Sequence, residues 1–302
     1  MTTEIPHVSV CICTYKRLPL LTRLLAELAA QDTDDLFTYS VVVADNDRER
    51  SAERVVDEFA AAGSPIGVSY CVQPQQNIAL TRNTAIEHAP GDFIAFIDDD
   101  EWPTRRWMLT LFTTCRDCDA DGVLGPVKPH FDEPPPRWVI SGKFYDRPTY
   151  PTGFVIDWRK GRTGNVLLKR HIFEGQDQPF RPEFLTGEDQ DFFRRMIGRG
   201  FVFVWCNEAL AYEAVPPIRW NRTFMLKRAL LRGGVSLVHP TGARRAIAKS
   251  VIAAPVYTAA LPFAFALGQG RFMSCLIKLF DHIGRLLAVV GVRPIHQPYV
   301  TE

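Results

Sequence analysis

Short runs rich in valine, isoleucine and phenylalanine alternate with helix-period segments through the first 125 residues, and this alternation constrains the fold more than any other feature of the chain. The strand candidates are Val8–Thr14, Tyr39–Asp45, Gly67–Val72, Asp92–Ile97 and Gly122–Val127. Helical patterns lie between them, over Leu18–Ala30, Ala52–Ala62, Ile78–His88 and Thr104–Arg116. Strands that alternate with helices predict parallel βαβ units and an α/β, mostly parallel, doubly wound sheet of the nucleotide-binding type. Such a sheet gathers ligands at the carboxyl ends of its strands. Polar clusters fall at three of those ends: Thr14-Tyr15-Lys16-Arg17, Asp45-Asn46-Asp47 and Asp98-Asp99-Asp100. Neither GxGxxG nor GxxxxGK[ST] occurs, so a dinucleotide fingerprint and a P-loop are excluded.

The third cluster is the most informative. Phe93-Ile94-Ala95-Phe96-Ile97 reads as a buried strand, and Asp98-Asp99-Asp100-Glu101 follow where it must end. Carboxylates this close repel one another unless a cation or a solvated surface relieves them. On an extended segment Asp98 and Asp100 point to the same side, a spacing that lets two hard oxygen ligands meet on one Mg²⁺ or Mn²⁺. A solvated acidic turn is the plainer alternative for such a triple. A second acidic cluster, Gly187-Glu188-Asp189-Gln190-Asp191, opens a helix whose apolar stripe is Phe192, Phe193, Met196 and Ile197. Acids in a first turn are favoured by the helix dipole, and Thr186 is a candidate cap, so a purely structural role competes with a catalytic one. Neighbouring Glu188 and Asp191, with partial burial, are expected to raise the pKa of Asp189 toward the range useful in a general base.

Residues 126–160 are rich in proline and aromatic side chains and read as a long irregular connection. A strand at Gly164–Leu168, a helix at Glu188–Arg199, a strand at Phe201–Cys206 and a basic helix at Arg222–Arg232 are expected beyond it. From Ser250 to Gly270 no residue is charged, a run about as long as a bilayer core requires of a helix, although Pro255 and Pro262 are expected to kink it. Phe272–Val292 is amphipathic, with Lys278, Asp281, His282 and Arg285 on one face. Arg244, Arg245 and Lys249 precede the apolar run and Arg271 follows it, which points to in-plane or re-entrant association of residues 246–292 with a membrane surface; a buried helical hairpin is the alternative. The expected division is residues 1–242 as one domain, with halves 1–125 and 126–242, and 243–302 as a membrane-associating helical region.

In 302 residues, 46% hydrophobic and 23% charged, there is material for a large core. A formal net charge of +1 gives no reason to expect nucleic acid as a partner. Most of the seven cysteines sit in apolar runs, as reduced intracellular core cysteines do; Cys115 and Cys118 form one CxxC without a second pair at zinc-site spacing. The opening MTTEIPHVSV has no basic-then-apolar leader, so a cytoplasmic location is expected, at the inner face of the cell membrane if the C-terminal helices associate with it.

Taken in order, these motifs resemble the inverting glycosyltransferases of family 2, with a GT-A fold. The matching pieces are Val8–Arg17, Asp45-Asn46-Asp47, Gln76–Asn83, Phe96–Glu101, Thr163–Leu168 and Gly187–Phe193, and they span roughly residues 6–234. The wording is most similar to the bacterial exopolysaccharide branch that includes succinoglycan-type glucosyltransferases. The resemblance implies that Thr14, Tyr15, Arg17, Asp45, Asn77, Arg82, Asp98 and Asp99 bind the nucleotide sugar, with Asp45 at the uracil. It implies a metal held by Asp98 and Asp100, with Asp100 in direct contact. Glu213 stands where many members carry a histidine near the metal. Asp189 matches the acid that deprotonates the acceptor, supported by Glu188. The QxxRW motif of processive synthases is absent, which argues for transfer of one sugar.

The implied reaction moves a sugar, glucose by analogy, from a UDP-sugar to a hydroxyl of a saccharide or lipid-linked oligosaccharide. Its diphosphate leaving group calls for a divalent cation, with Arg219, Arg222 or Lys227 as electrostatic help. Residues 130–160 and 214–235 are expected to shape the acceptor site. Two other readings compete. A nucleotidyltransferase predicts a glycine-rich phosphate loop after the first strand, where only Lys16-Arg17 stand. An inactive sugar-nucleotide-binding scaffold at the membrane is hard to square with intact Asp98, Asp100 and Asp189.

Overall fold

A computed structural model describes residues 5–184, 186–237 and 243–292. The elements run β1 (His7–Thr14), α1 (Leu18–Ala29), β2 (Thr38–Asp45), α2 (Glu53–Ala61), β3 (Gly67–Val72), α3 (Ile78–Glu87), β4 (Phe93–Phe96) and β5 (Glu101–Pro103). They continue with α4 (Trp107–Asp117), β6 (Gly122–Leu124), β7 (Val127–His130), α5 (Arg137–Gly142), β8 (Val166–Lys169), α6 (Glu188–Gly198), β9 (Phe203–Trp205) and β10 (Ala211–Ala214). Three helices close the chain: α7 (Arg222–Val235), α8 (Ala243–Ala266) and α9 (Gln269–Val289).

The chain forms two compact units, one from 1–129 and 147–213, the other from 130–146 and 214–302. The change of unit after Glu213 comes earlier than the expected boundary at residue 242, which itself lies outside the described residues.

In the first unit a seven-stranded sheet has the order β3-β2-β1-β4-β8-β6-β9. Every neighbouring pair is parallel except those of β8, which runs antiparallel to both β4 and β6. Strand order reverses direction at β1 and β4, so their carboxyl ends, Thr14 and the segment after Phe96, flank the switch point where such sheets bind ligands. Alternation along β1 sorts the core. Val8, Val10 and Ile12 join the α1, α2 and α4 side chains on one face, while Cys11 joins those of α3 and α6 on the other. Phe192, Phe193 and Met196 of α6 are almost wholly buried in that second layer, which fixes the first turn of α6 at the sheet's carboxyl edge. A small sheet of order β5-β10-β7 stands beyond it, and Glu213 pairs directly with Glu101 across β10 and β5.

One expectation fails here. β4 stops at Phe96, and the three aspartates form a turn closed by the Glu101 amide donating to the Asp98 carbonyl (3.0 Å). Side-chain alternation belongs to extended backbone, so it does not set the directions of Asp98 and Asp100 here.

In the second unit α9 packs against α5, α7 and α8. A Cβ on Gly233 of α7 would lie 2.1 Å from the Asp281 carbonyl oxygen, and one on Gly284 of α9 2.2 Å from that of Leu230; glycine at both points lets the two backbones touch. Three of the four polar residues on that face of α9, Asp281, His282 and Arg285, are engaged by its neighbours, while Lys278 is exposed. Arg232 donates to Asp281 (2.9 and 2.5 Å), His282 is buried against the Ser250 hydroxyl (3.0 Å), and Arg285 donates to Ser236 and Ser250 (both 2.8 Å). It is α8 that carries exposed apolar side chains, among them Ile252 (69%) and Phe263 (73%).

Candidate active site

A cavity of about 300 Å³ in the first unit is lined by Asp98 from the acidic turn, Arg82 from α3, Arg147, the segment Arg159–Gly164, and Asp189 and Gln190 from α6. The two acidic clusters found far apart in the sequence therefore meet. The participant from the first is Asp98, however, and not Asp100.

Arg82 joins them. Its guanidinium is buried, donates to the Glu188 carboxylate and approaches Asp98 at 3.7 Å. With Glu188 committed to Arg82, its neighbour Asp189 faces the cavity, accepting the Gln190 amide on Oδ1 (2.7 Å). Burial chiefly, and then the Glu188 carboxylate, push the Asp189 carboxyl up to about 7, against a smaller opposing effect of Arg82. A carboxylate with that pKa is a competent base at neutral pH, and its open face meets the cavity.

The acidic turn is arranged one carboxylate at a time. Asp99 is buried, accepts the Thr14 hydroxyl (2.8 Å) and pairs with Arg17 (3.0 Å); burial pushes it up to about 6. Asp100 also turns to Arg17 (3.2 Å). The Asp98 carboxyl opens into the cavity and is raised, first by burial and then, against the opposing effect of Arg82, by Asp100. Glu101 is raised well above the usual carboxylate range by burial and Asp98, and its buried Oε1 has no hydrogen-bond partner among the described residues; Arg147 Nη1 is 3.8 Å away. Arg147 itself is ion-paired to Glu213.

Four acids in one turn, three of them buried and one of those, Glu101, with an orphaned oxygen, make a donor set of hard oxygens short of positive charge. That set suits a divalent cation. No group of three or more His, Cys, Asp or Glu side chains converges as a ready metal cage among the described residues, so Asp98, Asp100 and Glu213 do not form a preassembled three-carboxylate site. Glu213 is engaged by Arg147 and Asp100 by Arg17.

The other expected nucleotide contacts are placed as follows. Asp45 is fully buried and accepts from the Asp47 and Ala52 amides (2.9 and 2.8 Å) and the Tyr70 hydroxyl (2.9 Å), so it organises the entry to α2 and does not line the cavity. Asn77 caps α3 through the Ala79 and Leu80 amides and donates to the Pro182 carbonyl (2.9 Å). Tyr15 follows the end of β1, with the Lys16 ammonium 5.2 Å from its ring centroid.

Gly164 brings the cavity wall against the acidic turn. A Cβ there would sit 2.8 Å from Glu101 Oε1 and 3.0 Å from Asp98 Oδ2. Asn165 anchors the approach, accepting from Trp107 Nε1 (2.7 Å) and donating to the Pro126 and Ala209 carbonyls (2.8 and 2.7 Å). Sequence reasoning missed Arg147 and Arg162 as cavity residues. They lie in segments without periodicity, and the only signal was the length of that irregular connection.

The sequence pattern of glycosyl transferase family 2 matches residues 9–176. The chain is 33% identical to the succinoglycan biosynthesis protein ExoM of Rhizobium meliloti (strain 1021), across 98% of its own length and 97% of that protein. It is 23% identical to the glycosyltransferase AglE of Haloferax volcanii, over 72% of this chain and 70% of the relative. Among solved structures, the mannosyltransferase PcManGT from Pyrobaculum calidifontis, in complex with GDP-Man and Mn²⁺, shares the fold with a TM-score of 0.65 at 16% identity, covering 96% of this chain and 89% of that one. TarS 1-349 of S. aureus, in complex with UDP, gives 0.53 at 15% identity, covering 96% and 93%.

Proposed function

Because the chain belongs to glycosyl transferase family 2, we propose that this cavity moves a single sugar, glucose first among the candidates, from a UDP-sugar to a hydroxyl of a growing lipid-linked saccharide in exopolysaccharide biosynthesis. The observation that carries the reading is that Asp98 and Asp189 line one cavity with Arg82 beside both. The relative's role in succinoglycan biosynthesis supports the exopolysaccharide setting. The UDP complex of one structural neighbour and the GDP-Man and Mn²⁺ complex of another support a nucleotide-sugar donor and a divalent metal.

In the mechanism, Asp189 accepts the proton of the acceptor hydroxyl as that oxygen attacks the anomeric carbon, and the configuration inverts. Arg82 pairs with Glu188 beside the base, and burial and then the Glu188 carboxylate keep the Asp189 pKa high enough to take that proton, against a smaller opposing effect of Arg82. Asp98 and Asp100 would hold Mg²⁺ or Mn²⁺, which when bound neutralises charge developing on the leaving diphosphate. Thr14 and Arg17 orient Asp99 and Asp100 so that the turn keeps its shape. Arg219, Arg222 and Lys227 belong to the second unit.

Asp98→Ala should abolish the dependence of UDP binding on Mn²⁺ while the protein remains folded. Titration calorimetry of UDP with and without Mn²⁺ checks this. Equal UDP affinity with and without metal in the unaltered protein would contradict the metal assignment.

We also propose that α8 rests on the inner face of the cell membrane. One window of this helix is apolar enough to cross a bilayer and is only 6% buried, and Arg244, Arg245 and Lys249 lie at its start. Apolar side chains with basic residues at one end suit an anionic lipid surface. Full-length protein should co-sediment with vesicles containing phosphatidylglycerol, and Ile252→Glu with Phe263→Glu should release it. Equal sedimentation of the two proteins would remove the proposal.

A further inference from the structure

The cavity wall facing Asp189 is more basic than the proposed chemistry requires. Five of its lining side chains are cationic, against the two carboxylates Asp98 and Asp189. Three of the five have acids of their own: Arg82 has Glu188 and Asp98, Arg147 has Glu213 and Glu101, and Arg159 has Asp157 (3.3 Å). The side chains of Lys160 and Arg162 have no hydrogen bond or ion pair among the described residues, although neither is freely exposed. Arg162 is partly buried, and burial and then Arg147 disfavour its charge against the opposing effect of the Glu101 and Asp189 carboxylates. A partly buried wall with five cations against two carboxylates suits an anionic ligand.

A second observation indicates which side of the reaction supplies it. The Lys160 ammonium stands 5.5 Å from the Tyr150 ring centroid and 5.6 Å from that of Phe154, and these rings stack on each other (4.9 Å, 13°). Phe154 is 38% exposed. A flat, partly open aromatic pair suits the apolar face of a pyranose ring. Lys160, Arg162 and the aromatic pair all belong to the 147–164 segment, which lines the cavity with Asp189 and meets the acidic turn through Gly164; on the reading above, the donor's diphosphate is matched to the metal at that turn. Resting on the glycosyl-transfer reading above, we infer that the acceptor is an acidic saccharide, whose carboxylate or phosphate is bound by Arg162 and Lys160 while one of its sugar rings lies on Tyr150 and Phe154.

The test uses full-length protein loaded with UDP and Mn²⁺ and compares two soluble probes, methyl β-D-glucuronoside and methyl β-D-glucoside, by ligand-observed NMR titration. The glucuronoside should bind about tenfold more tightly, a difference typical of one charge-assisted contact. Arg162→Gln and, separately, Lys160→Gln should each reduce that preference, and Arg162→Lys should restore part of it, while UDP affinity stays unchanged. Equal binding of the two probes, or binding of neither, overturns the inference. So does a loss of UDP affinity in Arg162→Gln, since the cations would then serve the donor. Failure of UDP to bind the unaltered protein would instead sink the glycosyl-transfer reading itself, so the two failures are separable.

Discussion

Asp189→Asn is expected to lower kcat by about 10²–10⁴, the usual worth of a positioned general base, and to leave UDP-sugar affinity nearly intact. Asparagine keeps the shape and can still accept the Gln190 amide, so the loss reports the missing proton acceptor and not a collapsed site. The same substitution carries a stability signature of opposite sign. Asp189 has a folded pKa raised to about 7, so its ionisation opposes folding once the pH exceeds the ordinary carboxylate value; the penalty grows as pH rises from about 4 toward 7. Removing the ionisable group removes the penalty. Thermal unfolding at pH 7.5 should therefore show Asp189→Asn at least as stable as the unaltered protein. A variant that loses stability and activity together would mean that Asp189 is a structural first-turn acid.

The second large effect is expected at Arg82→Met. Arg82 and Glu188 have side chains only 8% and 7% exposed, and their ion pair ties α3 to the first turn of α6. Removing one partner leaves a buried carboxylate without its cation, which costs about 3–5 kcal/mol, whereas an apolar replacement of both partners is often near neutral. Urea denaturation should show that loss for Arg82→Met and recovery of most of it in Arg82→Met with Glu188→Leu. The double variant should still transfer poorly, because Asp189 has lost the neighbour that raises its pKa. A loss under about 1 kcal/mol for the single variant, as for an exposed pair, would show that water reaches the site.

Much of the fold was legible because it depends on local periodicity. The first strands and helices lie within a few residues of where the alternation put them, since each helix carries an apolar stripe and each strand a buried run. The meeting of the two acidic clusters was legible in outline from strand-end topology. What failed needed non-local information. The aspartate triple reads as extended only if β4 continues past Phe96, and the pairing of Arg17 with Asp99 and Asp100 spans more than 80 residues of sequence, where no local pattern shows it. The polar stripe of α9 looks like a solvated face until Arg232, Ser236 and Ser250 are known to lie against it. Arg147 and Arg162 sit in irregular backbone, where no period announces which way a side chain turns.

The central claim is that Asp189 is a base whose burial sets its working pH. The acid limb of kcat/KM, measured from pH 4.5 to 8.5 with saturating UDP-sugar and metal, tests it most directly. An apparent pKa near 7, with the rate falling about tenfold per pH unit below pH 6, is the predicted result. A rate that stays level down to pH 5 would contradict it.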